Sequence, residues 1–172
     1  PIFHFNSLRP KVKFNHLAKF CDGKIFQIER SFLQIFGLPA YGVHCNVWSK
    51  VGNSTIIHLA KRSKTIDKFP GFYDNLVAGG QPTKISIKDN LFKEAYEEAG
   101  LNRKYMRFAT KSRTVHYNHN EINKFNSSVI FIYHLEKSDG MKFKNLDGEV
   151  ESFMSLDIKD LHKILEANKL KP

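Results

Sequence analysis

The chain has 172 residues, of which 41% are hydrophobic and 13% aromatic, and this composition excludes an intrinsically disordered protein. It contains no apolar run of about 18 residues and no basic-then-apolar leader, so we expect a soluble, cytoplasmic protein without a membrane span. The formal net charge of +10 favours anionic partners, but it does not distinguish phosphates from nucleic acid or acidic membranes.

The first part of the chain shows no clean hydrophobic period, whereas clear alternation of apolar and polar residues follows it. Such alternation predicts β-strands, and breaks rich in Gly or Asn predict turns. The predicted strands lie at residues 41–48, 55–60, 76–78, 107–116, 128–135 and 152–155. We also predict a hairpin turn at Gly52-Asn53 and a polar loop at residues 118–126.

The clearest helix signal covers residues 87–99. Ser86 stands in front of this helix, where a serine side chain caps free backbone N–H groups, and Gly100 follows it, where a left-handed residue is favoured. A shorter amphipathic helix is predicted at residues 157–165. At about 100° per residue, one arc of the longer helix can pack on a core; this arc consists of Leu91, Phe92, Ala95, Tyr96 and Ala99.

Three carboxylates share another arc of the longer helix, namely those of Glu94, Glu97 and Glu98. Like charges at these spacings destabilise a helix by roughly a few tenths of a kcal/mol per pair, so the cluster needs a cation to offset its charge. Mg²⁺ suits this role, because it takes oxygen ligands and is commonly shared between carboxylates, waters and substrate phosphates. The alternative is a solvated acidic surface that holds no metal.

This stretch resembles the Nudix box, G-x5-E-x7-R-E-U-x-E-E-x-G-U, in which U is a bulky aliphatic residue. The matching residues are Gly79, Lys93-Glu94, Glu97-Glu98 and Gly100-Leu101. Ile85 departs from the pattern, because it stands where the motif has its first glutamate. The resemblance implies an α/β fold, the Nudix α/β/α sandwich with a mixed central β-sheet. It also implies a hydrolase that uses Mg²⁺, or alternatively Mn²⁺, held by the three glutamates of the helix.

Segments outside the box resemble one Nudix subfamily, which comprises the Nudix half of fungal thiamine pyrophosphokinase and its stand-alone relatives. These segments are Phe26-Gln27-Ile28-Glu29-Arg30, residues 41–44, 59–63, 70–71 and 74–80, and Asp147-Gly148-Glu149-Val150-Glu151. Lys84 departs from this subfamily, where glycine is usual. The resemblance implies a diphosphatase that converts thiamine diphosphate, or its oxo- and oxy- analogues, to a monophosphate and phosphate. We expect an N-terminal extension, residues 1–37, that packs on a Nudix domain, residues 38–172, which lacks a C-terminal segment found in relatives.

Hydrolysis of a diphosphate requires neutralised phosphate charge and a water molecule aimed at phosphorus. Glu94, Glu97 and Glu98 are the predicted metal ligands and catalytic residues. Glu149 and Glu151 are further catalytic candidates, because residues two apart on a strand point to the same side, and either one completes the metal shell or acts as a general base. A solvated pair at a strand edge is the alternative for these two residues.

Four residues are predicted to bind substrate. Gly79 and Gly80 allow close backbone approach, although a tight turn alone also explains them. Lys61 and Arg62 can bind the leaving phosphate, although a surface role explains them equally well. Trp48 is a candidate for stacking on a substrate ring, but aromatic residues in strands are more often core residues.

Two other functions stay open at this point. The same fold can hydrolyse a nucleoside diphosphate derivative, such as ADP-ribose or an oxidised dNTP, because the box reads only the diphosphate. The chain can also be an inactive Nudix scaffold that binds RNA through its positive charge, but the retained glutamates and the missing aromatic-basic motif argue against this. Cys21 and Cys45 lack a metal-binding spacing and are expected to be reduced and buried. We therefore expect a small-molecule diphosphate as partner, with no membrane or nucleic acid, and a monomer or homodimer.

Overall fold

The computed structural model describes residues 14–16, 27–121 and 124–171. The strands in this part of the chain are β1 Phe14–His16, β2 Gln27–Glu29, β3 Pro39–Val51, β4 Ser54–Arg62, β5 Tyr73–Asn75, β6 Val77–Gly80, β7 Thr110–Glu121, β8 Lys124–Glu136 and β9 Val150–Asp157. The α-helices are α1 Ile87–Ala99, α2 Arg103–Met106 and α3 Leu161–Glu166. Two 3₁₀ helices cover Arg30–Phe32 and Ile158–Asp160. None of the helices described is long and apolar enough to cross a membrane.

The central sheet has seven strands and is mixed, as predicted. Its main strand order is β5-β4-β3-β8-β7, with β6 paired to β3 and β9 paired to β4. β3 runs parallel to β8, whereas its pairings with β4 and β6 are antiparallel. Most of the predicted 1–37 extension lies outside the described residues, although β1 and β2 form a separate two-stranded ribbon within it. The boundary at residue 38 stays a prediction.

The hairpin of β3 and β4 confirms the predicted pair of strands, with Gly52 in the left-handed region at a φ of 58°. The polar loop predicted at residues 118–126 is wrong, because β7 extends to Glu121, β8 begins at Lys124, and Asn118 pairs with Ser127. Polar residues suggested a loop there. An antiparallel ladder satisfies its backbone hydrogen bonds whatever its side chains are, so polarity alone does not end a strand.

α1 packs on one face of the central sheet. Alternate residues of β3 face this helix and are fully buried, namely Val43, Cys45 and Val47. They form the main hydrophobic cluster together with Leu91 and Ala95 of α1. Burial raises the pKa of the Cys45 thiol to about 12, so Cys45 is a neutral core residue, as expected. The same expectation for Cys21 lies outside the described residues.

The C-terminal segment covers the other face of the sheet, which gives the predicted sandwich of helices around a sheet. The helix predicted at 157–165 is present as a 3₁₀ turn followed by α3. Beyond α3, the backbone of Tyr73 donates a hydrogen bond to Lys169 O and accepts one from Lys171 N, both at 2.8 Å. The tail therefore continues the sheet next to β5.

A buried histidine in the sheet, His58, should make the stability of the protein depend on pH. The ring of His58 is flanked by hydroxyl groups, with Nε2 3.1 Å from Ser49 Oγ and Nδ1 2.8 Å from Ser155 Oγ. Burial, and to a lesser extent the charge of Lys137, lowers the pKa of His58 below its usual 6.5. The unfolded chain therefore binds a proton here at a higher pH than the folded chain does.

We expect the free energy of unfolding to fall as the pH drops below about 6.5. Urea unfolding of the wild type and of His58→Gln between pH 8 and pH 5.5 measures this effect. The wild type should lose more stability over that range than the variant, because glutamine cannot take up the proton. Equal losses in the two proteins would show that another group controls the acid response.

Candidate functional site

α1 begins and ends as the sequence predicts, at Ile87 and Ala99. Ser86 Oγ accepts a hydrogen bond from the backbone N–H of Asp89 at 3.0 Å, and Gly100 closes the helix in the left-handed conformation with a φ of 66°. These two caps satisfy backbone groups at both ends. They fix the register in which the helix presents its glutamates.

Two carboxylates of α1 are buried beneath the end of β6. Glu94 is 2% exposed and Glu98 is 7% exposed. The carboxylate of Glu98 accepts a hydrogen bond from the backbone N–H of Ala78 at 2.8 Å. A Cβ atom on Gly79 would lie 2.2 Å from the carboxyl carbon of Glu94, so this glycine makes room for that side chain. Gly79 thus gives room to a glutamate of α1, and its predicted role in substrate binding stays a prediction.

Burial shapes the charge state of Glu98. It raises the pKa of Glu98 to about 8, against the opposing effect of the Ala78 N–H group. The neighbouring charges of Glu94, Asp74 and Glu149 raise it further. Two carboxylates held together away from water are costly unless a cation or a proton offsets their charge.

The third glutamate of the motif points elsewhere. The side chain of Glu97 is 40% exposed, and its carboxylate lies 2.5 Å from Lys93 Nζ. Lys93 Nζ also lies 3.5 Å from Glu94 Oε1. The predicted helix arcs are corrected accordingly, because Glu94 and Glu98 face the core whereas Tyr96, which was assigned to the core arc, is 55% exposed.

The donor atoms suit a hard divalent cation, because both buried side chains offer only carboxylate oxygens. In the described part of the chain, no group of three or more His, Cys, Asp or Glu side chains is arranged to hold a metal ion. Mg²⁺ commonly uses only one or two carboxylates and takes its other oxygens from waters and phosphates. Glu94 and Glu98 therefore fit such an ion, and a third protein ligand stays a prediction.

The other two predicted carboxylates have different neighbours. Glu149 precedes β9, and its charge acts on Glu98, so it lies towards the buried pair. Val150, which lies between Glu149 and Glu151 in the chain, is buried. Glu151 is exposed and lies 3.3 Å from Lys61 Nζ. Glu149 is thus the better placed of the two for a role in catalysis.

Both predicted phosphate-binding cations already contact groups of the chain itself. Lys61 pairs with Glu151, while Arg62 lies 3.4 Å from the buried carboxylate of Asp74. Arg62 also donates hydrogen bonds to the carbonyl oxygen of Lys68 at 3.0 and 3.1 Å. A phosphate that used either cation would have to compete with these contacts.

Two polar residues next to Gly80 were not predicted as part of the site. Arg30 Nη1 donates to Tyr41 O at 3.4 Å, and a Cβ atom on Gly80 would lie 1.7 Å from this nitrogen. Asn90 of α1 is fully buried, and its Nδ2 donates to Gly80 O at 3.1 Å. Arg30 ends one of the segments that resemble the thiamine pyrophosphokinase subfamily, which was the available signal for it.

A cavity of 330 Å³ lies on the face of the sheet that is remote from α1. Its apolar cover comes from the C-terminal segment, through Ile158, Leu161 and Leu170. The polar and aromatic groups that line it are Asn46, Trp48, Thr55, Asp74, Asn75, His134 and Lys171. Asn75 of β5 donates a hydrogen bond to the side chain of Asn46 of β3, so the two amides are held together at the cavity wall.

Comparison with known proteins identifies relatives in plants, although no protein-family model matches the chain. Nudix hydrolase 20, chloroplastic, of Arabidopsis thaliana is 36% identical over 141 residues, which are 82% of this chain and 38% of that protein. Nudix hydrolase 24, chloroplastic, of the same plant is 34% identical over 161 residues, 93% of this chain and 42% of that protein. The chain therefore spans about two fifths of the length of these curated relatives. Both names include the word chloroplastic, so the cytoplasmic location stays a prediction.

Solved structures confirm the fold. The protein DR0079 from Deinococcus radiodurans aligns with a TM-score of 0.66 and 16% identity, covering 92% of this chain and 91% of that one. The Nudix domain of Shewanella oneidensis NrtR, complexed with ADP ribose, aligns with a TM-score of 0.52 and 12% identity over 73% and 77% of the two chains. A bifunctional NMN adenylyltransferase/ADP ribose pyrophosphatase from Francisella tularensis, complexed with AMP and a manganese ion, aligns with a TM-score of 0.55 and 11% identity over 77% and 37%.

Proposed function

Since this chain belongs to the Nudix hydrolase family, we propose that it hydrolyses a diphosphate bond with the help of a divalent metal ion. The observation that carries this proposal is the buried pair Glu94 and Glu98, held side by side on α1 against the end of β6. Lys93 Nζ lies 3.5 Å from Glu94, but a purely structural helix would not gain from burying Glu98 beside it, because that burial costs free energy unless a cation offsets it.

Glu94 and Glu98 would hold Mg²⁺ or Mn²⁺ through their oxygens. When bound, such an ion neutralises phosphate charge and acidifies a water molecule. Ala78 orients Glu98 through its N–H group. Glu149 is the carboxylate best placed to take a proton from the attacking water, because it is near the pair and is not held in an ion pair among the described residues. Glu97 joins the site only by leaving Lys93.

We propose an oxidised thiamine diphosphate as the substrate. Most of the segments that resemble the Nudix half of thiamine pyrophosphokinase lie outside the metal-binding motif, where the group attached to the diphosphate is read. In the described part of the chain, Asp74 is the only acidic residue that lines the cavity, and Arg62 and Lys171 neutralise it at 3.4 and 2.7 Å. Such a cavity suits the neutral ring of oxothiamine better than the thiazolium cation of thiamine.

A nucleoside diphosphate derivative is the second candidate. The amides of Asn46 and Asn75 are joined at the cavity wall, and amide pairs of this kind can hydrogen-bond to the edge of a nucleobase. Of two proteins with the same fold, one is bound to ADP ribose and the other is an ADP ribose pyrophosphatase. ADP-ribose and an oxidised dNTP therefore belong in any substrate test.

The substrate test compares kcat/KM for oxothiamine diphosphate, thiamine diphosphate, ADP-ribose and dGTP, with Mg²⁺ or Mn²⁺. Monophosphate and inorganic phosphate are measured as products. We expect oxothiamine diphosphate to be cleaved fastest and thiamine diphosphate more slowly. A preference for either nucleotide would contradict the proposed thiamine substrate but agree with the proposed diphosphatase activity. The absence of metal-dependent hydrolysis of every compound would contradict the proposed function itself.

A further inference from the structure

A cationic side chain from outside the Nudix motif reaches the end of β6. Arg30 begins the 3₁₀ helix that follows β2, 50 residues before Gly80 in the chain. A Cβ atom on Gly80 would lie 1.7 Å from the Nη1 atom of Arg30, so a side chain there would exclude the guanidinium. A Cβ atom on Gly79 would likewise lie 2.2 Å from the carboxyl carbon of Glu94. Because neighbouring residues of a strand project to opposite faces, the guanidinium and the carboxylate flank β6 from its two sides.

The surroundings of Arg30 favour an anion. The side chain is partly buried, and this burial lowers the pKa of Arg30, whereas the charges of Tyr117 and Glu94 oppose the shift. Guanidinium has five N–H donors in a fixed plane, and in the described part of the chain it donates one hydrogen bond, to Tyr41 O. A partly buried guanidinium that does not use all of its N–H donors costs free energy by itself, and an anionic ligand stabilises it.

We propose that Arg30 binds the diphosphate group of the substrate, with its guanidinium contacting phosphate oxygens beside Gly80. This inference rests on the proposed function, because it assumes that the substrate carries a diphosphate. It gives the N-terminal segment a direct part in substrate binding. Gly80 is needed for its lack of a side chain, which admits the guanidinium, and Asn90 holds the carbonyl of Gly80 in place at 3.1 Å.

The test uses methylenediphosphonate, a diphosphate analogue that is not hydrolysed, together with Mg²⁺. Calorimetric titration of Arg30→Met should show binding weakened about 10- to 100-fold, the loss expected when a charge-assisted hydrogen bond to an anion is removed. Arg30→Lys should restore part of the affinity, because lysine keeps the charge but loses the planar pair of donors. KM for the best substrate of the panel should rise by a similar factor, with a smaller change in kcat.

Two further variants separate ligand binding from a structural role. Gly80→Ala keeps the arginine but displaces its guanidinium, so it should weaken methylenediphosphonate binding as Arg30→Met does. Arg103→Met removes an exposed arginine that pairs with Asp89 at 2.8 Å and should leave binding unchanged. If Arg30→Met does not fold, Arg30→Lys and Gly80→Ala decide the question.

Normal binding of methylenediphosphonate by folded Arg30→Lys and Gly80→Ala would overturn the inference, and so would a wild type that does not bind this compound. A purely structural role would instead lower the unfolding temperature without ligand and leave affinity intact. The proposed function fails separately. A wild type that binds methylenediphosphonate through Arg30 but hydrolyses no diphosphate would contradict the proposed hydrolase activity and support the inference.

Discussion

Replacement of Glu98 by glutamine should lower the turnover rate by roughly 10²-fold or more, the scale expected when electrostatic stabilisation of a transition state is lost. The variant keeps the shape of the side chain, and the glutamine oxygen can still accept the hydrogen bond from Ala78 N–H. It removes one of the two buried carboxylates that a metal ion needs as ligands. The metal-free protein should therefore be as stable as the wild type or slightly more stable, because a neutral side chain costs less to bury.

Two measurements check this pair of opposite effects. One is the turnover rate over a range of Mg²⁺ concentrations, and the other is urea unfolding in the presence of a chelator. Glu166→Gln makes the same chemical change on the exposed face of α3 and should alter neither quantity. If both Glu94→Gln and Glu98→Gln hydrolysed substrate at near-normal rates, α1 would not carry the metal site.

Glu97→Gln distinguishes two arrangements of the motif. The exposed ion pair of Glu97 with Lys93 is worth little free energy, so a bound metal ion can draw Glu97 away from it. A loss as large as that of Glu98→Gln would show that Glu97 becomes a ligand. A much smaller loss would show that Glu97 keeps the position it has in the structure.

Local signals made α1 predictable to the residue. A serine cap and a left-handed glycine act through backbone groups within one helical turn, so their effect depends on neighbouring residues alone. The strands of the first hairpin were predictable for a similar reason, since alternation and a Gly-containing turn are also local features. The ends of β7 and β8 were not, because their polar residues carry no signal that distinguishes a ladder from a loop.

The orientation of α1 depends on contacts that are distant in sequence. The helix carries apolar and acidic arcs, and its period alone suggested that the acidic arc faces away from the core. The structure buries Glu94 and Glu98 because β6 offers them space at Gly79 and a backbone N–H donor at Ala78. Tyr96 is exposed as a consequence.

The charge pairs around the cavity also depend on the fold as a whole. Asp74 is neutralised partly by Lys171, which is 97 residues away in sequence. That contact forms because the C-terminal tail runs beside β5. Arg30 likewise lies next to Gly80, 50 residues away in sequence, where Tyr41 of β3 accepts its hydrogen bond. A sequence shows such residues as candidates, but not the partners that define their roles.

Gly79→Ala should impair the proposed hydrolysis through Glu94. A Cβ atom would lie 2.2 Å from two carbons of that side chain, which is far too close, so the carboxylate must move. Displacement of a catalytic group by about 1 Å can cost on the order of 10²-fold in rate, and we expect a loss of that size in kcat. Overpacking should also lower the free energy of unfolding by about 1–3 kcal/mol, measured by urea unfolding.

A double-mutant cycle identifies the cause of that loss of stability. In a Glu94→Ala background the obstructing side chain is absent, so the added methyl group of Gly79→Ala has room. The same substitution should then cost much less stability than in the wild type, and the difference between the two costs measures the contact between these residues. Equal costs in both backgrounds would place the clash elsewhere, for example in the pairing of Gly79 with Val43 on β3, and the close approach of Glu94 to β6 would then not explain why glycine occupies this position.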